Sequence, residues 1–304
     1  MGYPGYMVLR HAGLSRSSYY YKPSGSGALK GRPPSRHTTK GDGTVVSNTQ
    51  VVADIKHCLS EEFVDYGYLK MTYYLQSELH YLINHKKVYR LMASEHLLQK
   101  NILRKRSHRT WVKDLVPQAK YFFHYLEFDI KYIWVSGMRR NALVLTVIDV
   151  HSRWALGQYI SWQIGKKDVI RIFDSIFKQY DLPKKIYVRN DNGSQMEAQL
   201  VQEYFKGRDI AQEFTKPATP EQNAHIESYH SLVERTICAK YEFDDILELQ
   251  ETMDRWLLFY NTRRIHSGIG YKSPLQYLQN EGYDVNDLSI NDIPVVNQVL
   301  NPAG

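Results

Sequence analysis

The 304-residue sequence predicts a mixed α/β fold, in which three antiparallel strands begin a sheet, helices and strands alternate to complete it, and a small helical domain precedes it. Three observations predict this. Apolar and polar residues alternate along "YFFHYLEFDIKYIWV" and recur as short apolar runs in the two segments that follow, as strands require. After residue 165 the apolar period switches repeatedly between that of a helix and that of a strand. Between residues 49 and 99 the period is helical throughout.

Composition narrows the class. The chain is 43% hydrophobic and 13% aromatic, ample for a buried core, and its 39 Lys and Arg against 32 Asp and Glu leave a formal charge of +7. That balance favours a polyanionic partner such as nucleic acid. Cys58 and Cys238 lack any ligand spacing, so neither a zinc site nor a disulfide framework is indicated. No apolar run approaches the roughly 20 residues that span a bilayer, and the first residues lack a signal-peptide pattern. The expectation is a cytoplasmic protein with no membrane partner.

Taken in order, residues 1–21 predict a short helical segment ending in Tyr19, Tyr20 and Tyr21, and residues 22–48, rich in Ser, Gly, Pro and Thr, predict a flexible linker. Residues 49–99 carry three helical stripes: Val52, Ile55 and Leu59; Tyr74, Leu75 and Leu79; Val88, Leu91 and Met92. Asn84 suits the N-cap of the third helix, whose outer face holds His85, Lys86, Lys87 and Arg90. Two readings stand: a DNA-reading helix-turn-helix variant, or the solvated face of a small bundle. The connector over 100–120 surrounds Trp111 with basic residues that include Arg104, Lys105, Arg106 and Arg109, a pattern suited to a phosphate backbone.

From residue 121 the period becomes that of strands. The first has Leu126, Phe128 and Ile130 on one face and Tyr125, Glu127 and Asp129 on the other; "ALVLTVIDV" and "WALGQYIS" follow. "KKDVIRIFDSIFKQY" is an amphipathic helix, "KKIYVRND" a strand ending at an acid, "QMEAQLVQEYFKGR" a helix, "DIAQEFT" a fifth strand and "EQNAHIESYHSLVERTI" a third helix. This is the layout of a ribonuclease H-like fold, placed over residues 121–279, with 280–304 as an irregular tail. A last stripe of Ile246, Leu249, Met253, Trp256, Leu257 and Tyr260 predicts a closing core helix.

In that layout Asp129 lies in the first strand, Asp191 just past the fourth and Glu227 on the next helix. Three carboxylates brought together suit a pair of Mg²⁺ ions, which prefer oxygen ligands, and a two-metal phosphoryl displacement. Each acid alone has a plainer reading: Asp129 paired to Lys131 or Arg189, Asp191 a turn residue beside Asn192 and Gly193, Glu227 a solvent-facing helix charge. The combination carries the signal.

The blocks "FDIKYIWV", "VIDVHSRWALGQYIS", "VRNDNGSQ", "TPEQNAHIESYHS" and "FYNTRRIHSGIGYKSPLQYL" resemble the integrase catalytic core shared by retroviral integrases and insertion-sequence transposases. Within these, the chain resembles the second-frame product of the insertion sequence three family, and the likeness extends to "HAGLSRSSYYYKP" and "YGYLKMTYYLQSELHYLINHKKVYRLMASEHLLQK". The family's Asp-Asp-Glu triad usually has 35 residues between its last two members, as Asp191 and Glu227 do here, so the resemblance implies that Asp129, Asp191 and Glu227 are catalytic and hold metal. Two neighbours depart from commoner family wording: Arg189-Asn190 stands where His-Ser is frequent, and Gln222 stands where Asp often precedes Asn-Ala.

The resemblance implies a DNA transposase. Water hydrolyses a phosphodiester at each transposon end to free a 3′-OH, which then attacks a second phosphodiester with no need of ATP. It implies two Mg²⁺ ions, with Mn²⁺ able to substitute, and DNA partners in terminal inverted repeats and target DNA. It further implies a homo-oligomer on DNA, a first-frame partner or frameshift fusion, and association with the bacterial nucleoid. Asn223 and His230 become candidates near the scissile phosphate, with His230 equally readable as an ordinary surface residue; Lys131, Arg153, Arg263, Arg264 and His266 become candidate DNA contacts. The alternatives are a ribonuclease H-like nuclease that only hydrolyses, and a non-catalytic DNA-binding regulator.

Overall fold

The computed structural model describes residues 5–15, 19–20, 35–99, 118–191, 198–215 and 223–283. The basic connector with Arg104, Lys105, Arg106 and Arg109, most of the tail and residues 22–34 lie outside the described residues. The chain divides into two units, Met1–His37 and Thr38–Gly304. The first contains helix α1 (Gly5–His11), ending in Arg10 and His11 where the negative end of the helix dipole favours cations. Beyond it Tyr19 meets Tyr20 edge-on at 5.0 Å.

A small sheet follows: β1 (His37–Lys40), β2 (Val45–Ser47) and β3 (Tyr81–Leu82), in the order β2-β1-β3. The sequence reading of 22–48 as one flexible linker is therefore corrected from residue 37 onward. A turn over Gly41, Asp42 and Gly43 reverses the chain: Asp42 accepts the Thr44 N–H at 2.8 Å, and Gly43 takes a φ of 87° that side-chain-bearing residues rarely adopt. An Asp-Gly pair followed by Thr-Val-Val is a hairpin signal in its own right.

Helices α2 (Asn48–Ser60), α3 (Tyr68–Ser77) and α4 (His85–Ser94) follow, as the periodicity predicts. Ser47 caps α2, and Asn84 caps α4 by accepting the Lys87 N–H at 2.9 Å. These helices share one apolar core with the larger domain behind them. Val51, Ile55, Met71, Leu75, Val88 and Met92 belong to the same cluster as Trp256 and Tyr260. Phe63 stands edge-on to Trp256 at 5.6 Å, and Tyr73 stacks on Tyr271 at 3.9 Å.

The main sheet consists of β4 (Tyr125–Val135), β5 (Arg140–Asp149), β6 (Ala155–Ser161), β7 (Tyr187–Asn190) and β8 (Ala211–Phe214), in the order β6-β5-β4-β7-β8. The first three are antiparallel to one another, and β7 and β8 add on parallel. Helices α5 (Lys166–Gln179) and α6 (Gln199–Lys206) bring Val169, Ile172, Phe173, Val201 and Phe205 to one face, against Leu126, Phe128, Leu145 and Val147. The opposite face meets α7 (Ala224–Val233), which runs into a π-helical turn (Glu234–Cys238), and α8 (Ile246–Thr262). Asn261 joins α8 to β6 by accepting the Ala155 N–H and donating to the Ala155 carbonyl, both at 2.9 Å. Ser273 and Gln276 form a capping box at the start of α9 (Pro274–Asn280). This mixed sheet flanked by helices is the ribonuclease H-like arrangement.

Candidate active site

Strand alternation decides which residues of β4 meet α7. Leu126 and Phe128 point into the α5–α6 core, so Glu127, Asp129 and Lys131 point the other way. Each then meets a residue of α7 or its extension. Glu127, fully buried, accepts the N–H groups of His225 at 3.0 Å and Ile226 at 2.8 Å, and its second oxygen meets His225 Nδ1 at 2.9 Å. Asp129 Oδ2 lies 3.3 Å from His230 Nδ1, and Lys131 meets Glu234 at 2.7 Å. The spacing fits: four strand residues rise about 13 Å and nine helical residues about 13.5 Å, so strand and helix run side by side in step.

The backbone N–H groups at a helix N-terminus are unsatisfied within the helix and carry its positive dipole end. A buried carboxylate accepting two of them therefore pins α7 to β4. Glu227 is exposed on the first turn of the helix so pinned, three residues before His230.

Asp191 is placed by the parallel pairing of β4 and β7. Tyr125 pairs with Tyr187, Leu126 with Val188 and Glu127 with Arg189; the same register continued two residues further sets Asp191 level with Asp129. Buried Asn190 supports that end, with its Nδ2 donating to the Asp191 carbonyl and its Oδ1 accepting from Gln212 at 2.9 Å. By that continuation Asp129 on β4 and Asp191, just past the end of β7, fall at the same height, beside α7, which carries Glu227. Among the described residues, no three His, Cys, Asp or Glu side chains are gathered closely enough to form a ready metal group.

Neither cation considered as a partner for Asp129 takes that role. Lys131 pairs with Glu234, holding its carboxyl below the usual range, and Arg189 pairs with Glu213 at 2.7 Å. Lys131 is thus engaged in an ion pair with Glu234. Two more of the candidate DNA contacts lie after α8. Arg264 is fully buried and meets Asp65 at 2.6 Å, and Arg263 pairs with Glu61. Tyr66 adds to this join, its hydroxyl donating to the Arg263 carbonyl and accepting the Ile265 N–H, both at 3.1 Å. The "YNTRRIH" block therefore fastens the helical domain to the sheet domain.

His266 is enclosed rather than displayed, and burial among Arg264, Lys70 and Arg153 drives its pKa well below the usual histidine range. Asn223 is buried, and its Oδ1 has no hydrogen-bond partner among the described residues. On α4, Lys86 and Arg90 are exposed beside the exposed Tyr89, whereas Lys87 is half-buried. Arg153 turns inward and donates to the Val150 carbonyl. Sequence reasoning missed Glu127, although an acid two residues from Asp129 on the same strand face was a visible signal. It also missed Asp149, a buried acid that shapes the β5–β6 turn by accepting from Phe123 and from Ser152 twice.

Comparison with known proteins matches this layout. Two models, each described as an integrase core domain, match residues 123–220 and 208–274, jointly spanning half of the chain. The chain belongs to the integrase-core transposases. A third model, an HTH-like domain, matches residues 48–106 of this transposase. Over 297 residues it is 26% identical to the putative transposase InsK for insertion sequence element IS150 of Escherichia coli (strain K12), covering 92% of this chain and 95% of that one. Over 153 residues it is 28% identical to the transposase for insertion sequence element IS904 of Lactococcus lactis, covering 48% of this chain and 60% of that one. Among solved structures it resembles a chain of the simian T-cell lymphotropic virus intasome in complex with PP2A regulatory subunit B56 gamma, with a TM-score of 0.47, 15% identity and coverage of 76% of this chain and 74% of that one. The transposase is a polynucleotidyl transferase of the DDE type, acting in DNA transposition. No described helix is long and apolar enough to cross a membrane.

Proposed function

We propose that Asp129, Asp191 and Glu227 are the catalytic carboxylates, that they act with divalent cations, and that the reaction is cleavage at transposon ends followed by 3′-OH strand transfer. The observation that carries this reading is the β4–β7 register, which sets Asp191 level with Asp129 while Glu127 and His230 hold α7 alongside.

The donor set fits Mg²⁺. All three side chains offer hard carboxylate oxygens, and the nearest strand cations are occupied by Glu213 and Glu234. When bound, a pair of such cations supplies Lewis-acid stabilisation of the attacking and leaving oxygens; Mn²⁺ offers the same coordination chemistry. The chain itself contributes position. β4 carries Asp129 and the end of β7 leads directly into Asp191, Asn190 donates to the backbone at Asp191, and His230 lies against the Asp129 carboxylate. The substrates under this reading are terminal inverted repeats and target DNA, read in part by the exposed Lys86 and Arg90 of α4. Joining two ends calls for at least two chains on DNA, with a first-frame partner or fusion supplying further end recognition.

The test is a disintegration assay, in which branched DNA is resolved by reversal of strand joining in the presence of Mg²⁺ or Mn²⁺. The wild type should rejoin strands, and Asp129→Asn, Asp191→Asn and Glu227→Gln should each lose at least 100-fold in rate while retaining the wild-type unfolding midpoint. A fully active Glu227→Gln would remove that residue from the site. Cleavage without any rejoining would favour a nuclease that only hydrolyses.

A further inference from the structure

Successive residues of α7 step by about 100° around its axis. Asn223, Glu227 and His230 therefore share one flank, while His225, Ser228 and Leu232 share the other. Against that second flank lies a cleft of about 680 Å³, walled by the helical domain and by the segment that follows α8.

Four cations line the cleft: Lys70 from α3, Arg153 from the β5–β6 turn, Arg235 from the π-helical turn and Arg264 after α8. Asp65 is the one acid in the lining, and it is already shared between Arg264 at 2.6 Å and Arg235 at 3.3 Å. Lys70 and Arg153 have no carboxylate within ion-pair distance among the described residues. Arg264 Nε and His266 Nε2, both buried, have no hydrogen-bond partner among the described residues. Burial, with Arg264 and Arg235 nearby, depresses the Lys70 ammonium to about 7.

Such a cleft has an excess of positive charge and buried polar groups left unsatisfied, both of which an oxyanion relieves. We propose that it is a phosphate site for DNA: a strand crossing the exposed ridge of α7 places one phosphodiester against Lys70 and Arg153, while another lies at Glu227 on the opposite flank. This rests on the reading of Glu227 above and adds the path of the strand. Phosphate rather than carboxylate is favoured because the donors come from four separate segments and converge on a volume larger than a carboxylate fills, and because Tyr68 and Tyr271 in the same lining offer rings to the adjoining nucleotide.

The experiment uses the full chain and fluorescein-labelled branched DNA, with anisotropy read across a salt series for wild type, Lys70→Gln, Lys70→Arg and Lys166→Gln. Lys70→Gln should weaken binding about tenfold and lower the salt slope by about one, because one phosphate contact is lost. Lys70→Arg should stay within about threefold of wild type, and Lys166→Gln, an exposed cation on α5, should leave the slope unchanged. A parallel arm titrates inorganic phosphate and thymidine monophosphate against thermal stability. Equal DNA affinity and slope for Lys70→Gln and wild type would overturn the proposal. So would stabilisation by the small anions that Lys70→Gln abolishes while DNA binding is untouched, which would assign the cleft to a free phosphate. Disintegration by Glu227→Gln separates the two readings: loss there with unchanged DNA binding by Lys70→Gln leaves the catalytic assignment standing and removes the cleft.

Discussion

The carboxylate of Glu127, inside the sheet, accepts the backbone N–H of Ile226 at 2.8 Å, ninety-nine residues further along the chain. It accepts the neighbouring His225 N–H as well, so one side chain sets the height of α7 over β4 and with it the position of Glu227. Glu127→Ala should lower stability by about 2–4 kcal/mol, since two charge-assisted hydrogen bonds vanish and their donors stay buried. Glu127→Gln, which retains one acceptor oxygen, should lose less. Urea denaturation gives both values. A catalytic defect in Glu127→Gln larger than its stability loss explains is expected if placing α7 matters to the reaction; wild-type disintegration rates in that variant would contradict the placement role.

Asn261 zips α8 to β6 through both backbone groups of Ala155, in a buried setting where water cannot replace a lost partner. Asn261→Ala and Asn261→Leu should each cost about 2–3 kcal/mol in chemical denaturation, because each strands a buried N–H and a buried C=O. An apolar replacement that proved neutral would mean the strand repairs these bonds elsewhere.

Buried Arg264 pairs with half-buried Asp65, joining the two halves of the second unit. Removing Arg264 takes away the shorter of the two ion pairs of Asp65, leaving Arg235 at 3.3 Å, and empties a buried site, so Arg264→Ala should destabilise by about 3 kcal/mol. A double-mutant cycle with Asp65→Ala should show a coupling of at least about 1 kcal/mol. Purely additive losses would reduce the pair to coincidental neighbours.

Lys70 supplies a pH dependence whose sign follows from its lowered pKa. In the folded chain the ammonium loses its proton near pH 7, because of burial first and the repulsion of Arg264 and Arg235 after it, with Asp65 opposing; in the unfolded chain it stays protonated to about 10.5. Between those values the unfolded chain binds more protons, so this group's contribution to stability rises with pH across the window. Below pH 7 both states are protonated and the penalty is constant. Lys70→Gln should therefore be more stable than wild type at pH 6, and the gap should close towards pH 9. A gap independent of pH in urea denaturation would mean that Lys70 titrates normally in the fold.

Element order and type were legible in the sequence because they rest on local periodicity. The alternation in β4, the amphipathic stripe of α5 and the Asn84 cap are decided within a few residues of where they occur. The small β1–β2 sheet was missed although its Asp42–Gly43 turn was visible, because the surrounding Ser, Gly and Pro outweighed a three-residue strand.

Read alone, the sequence determined the mixed α/β class, the strand and helix on which each proposed acid sits, and the resemblance that joins them, since each is a matter of spacing along the chain. Only the tertiary structure decided what those spacings bring together. Burial made Arg264 a fastening for Asp65, and Lys131 found its partner in Glu234. The helical domain merged its core with the sheet domain, and Lys70 came to face Arg153 across a cleft. These are contacts between residues far apart in the chain, where charge and burial depend on which surfaces meet, and no local pattern records that.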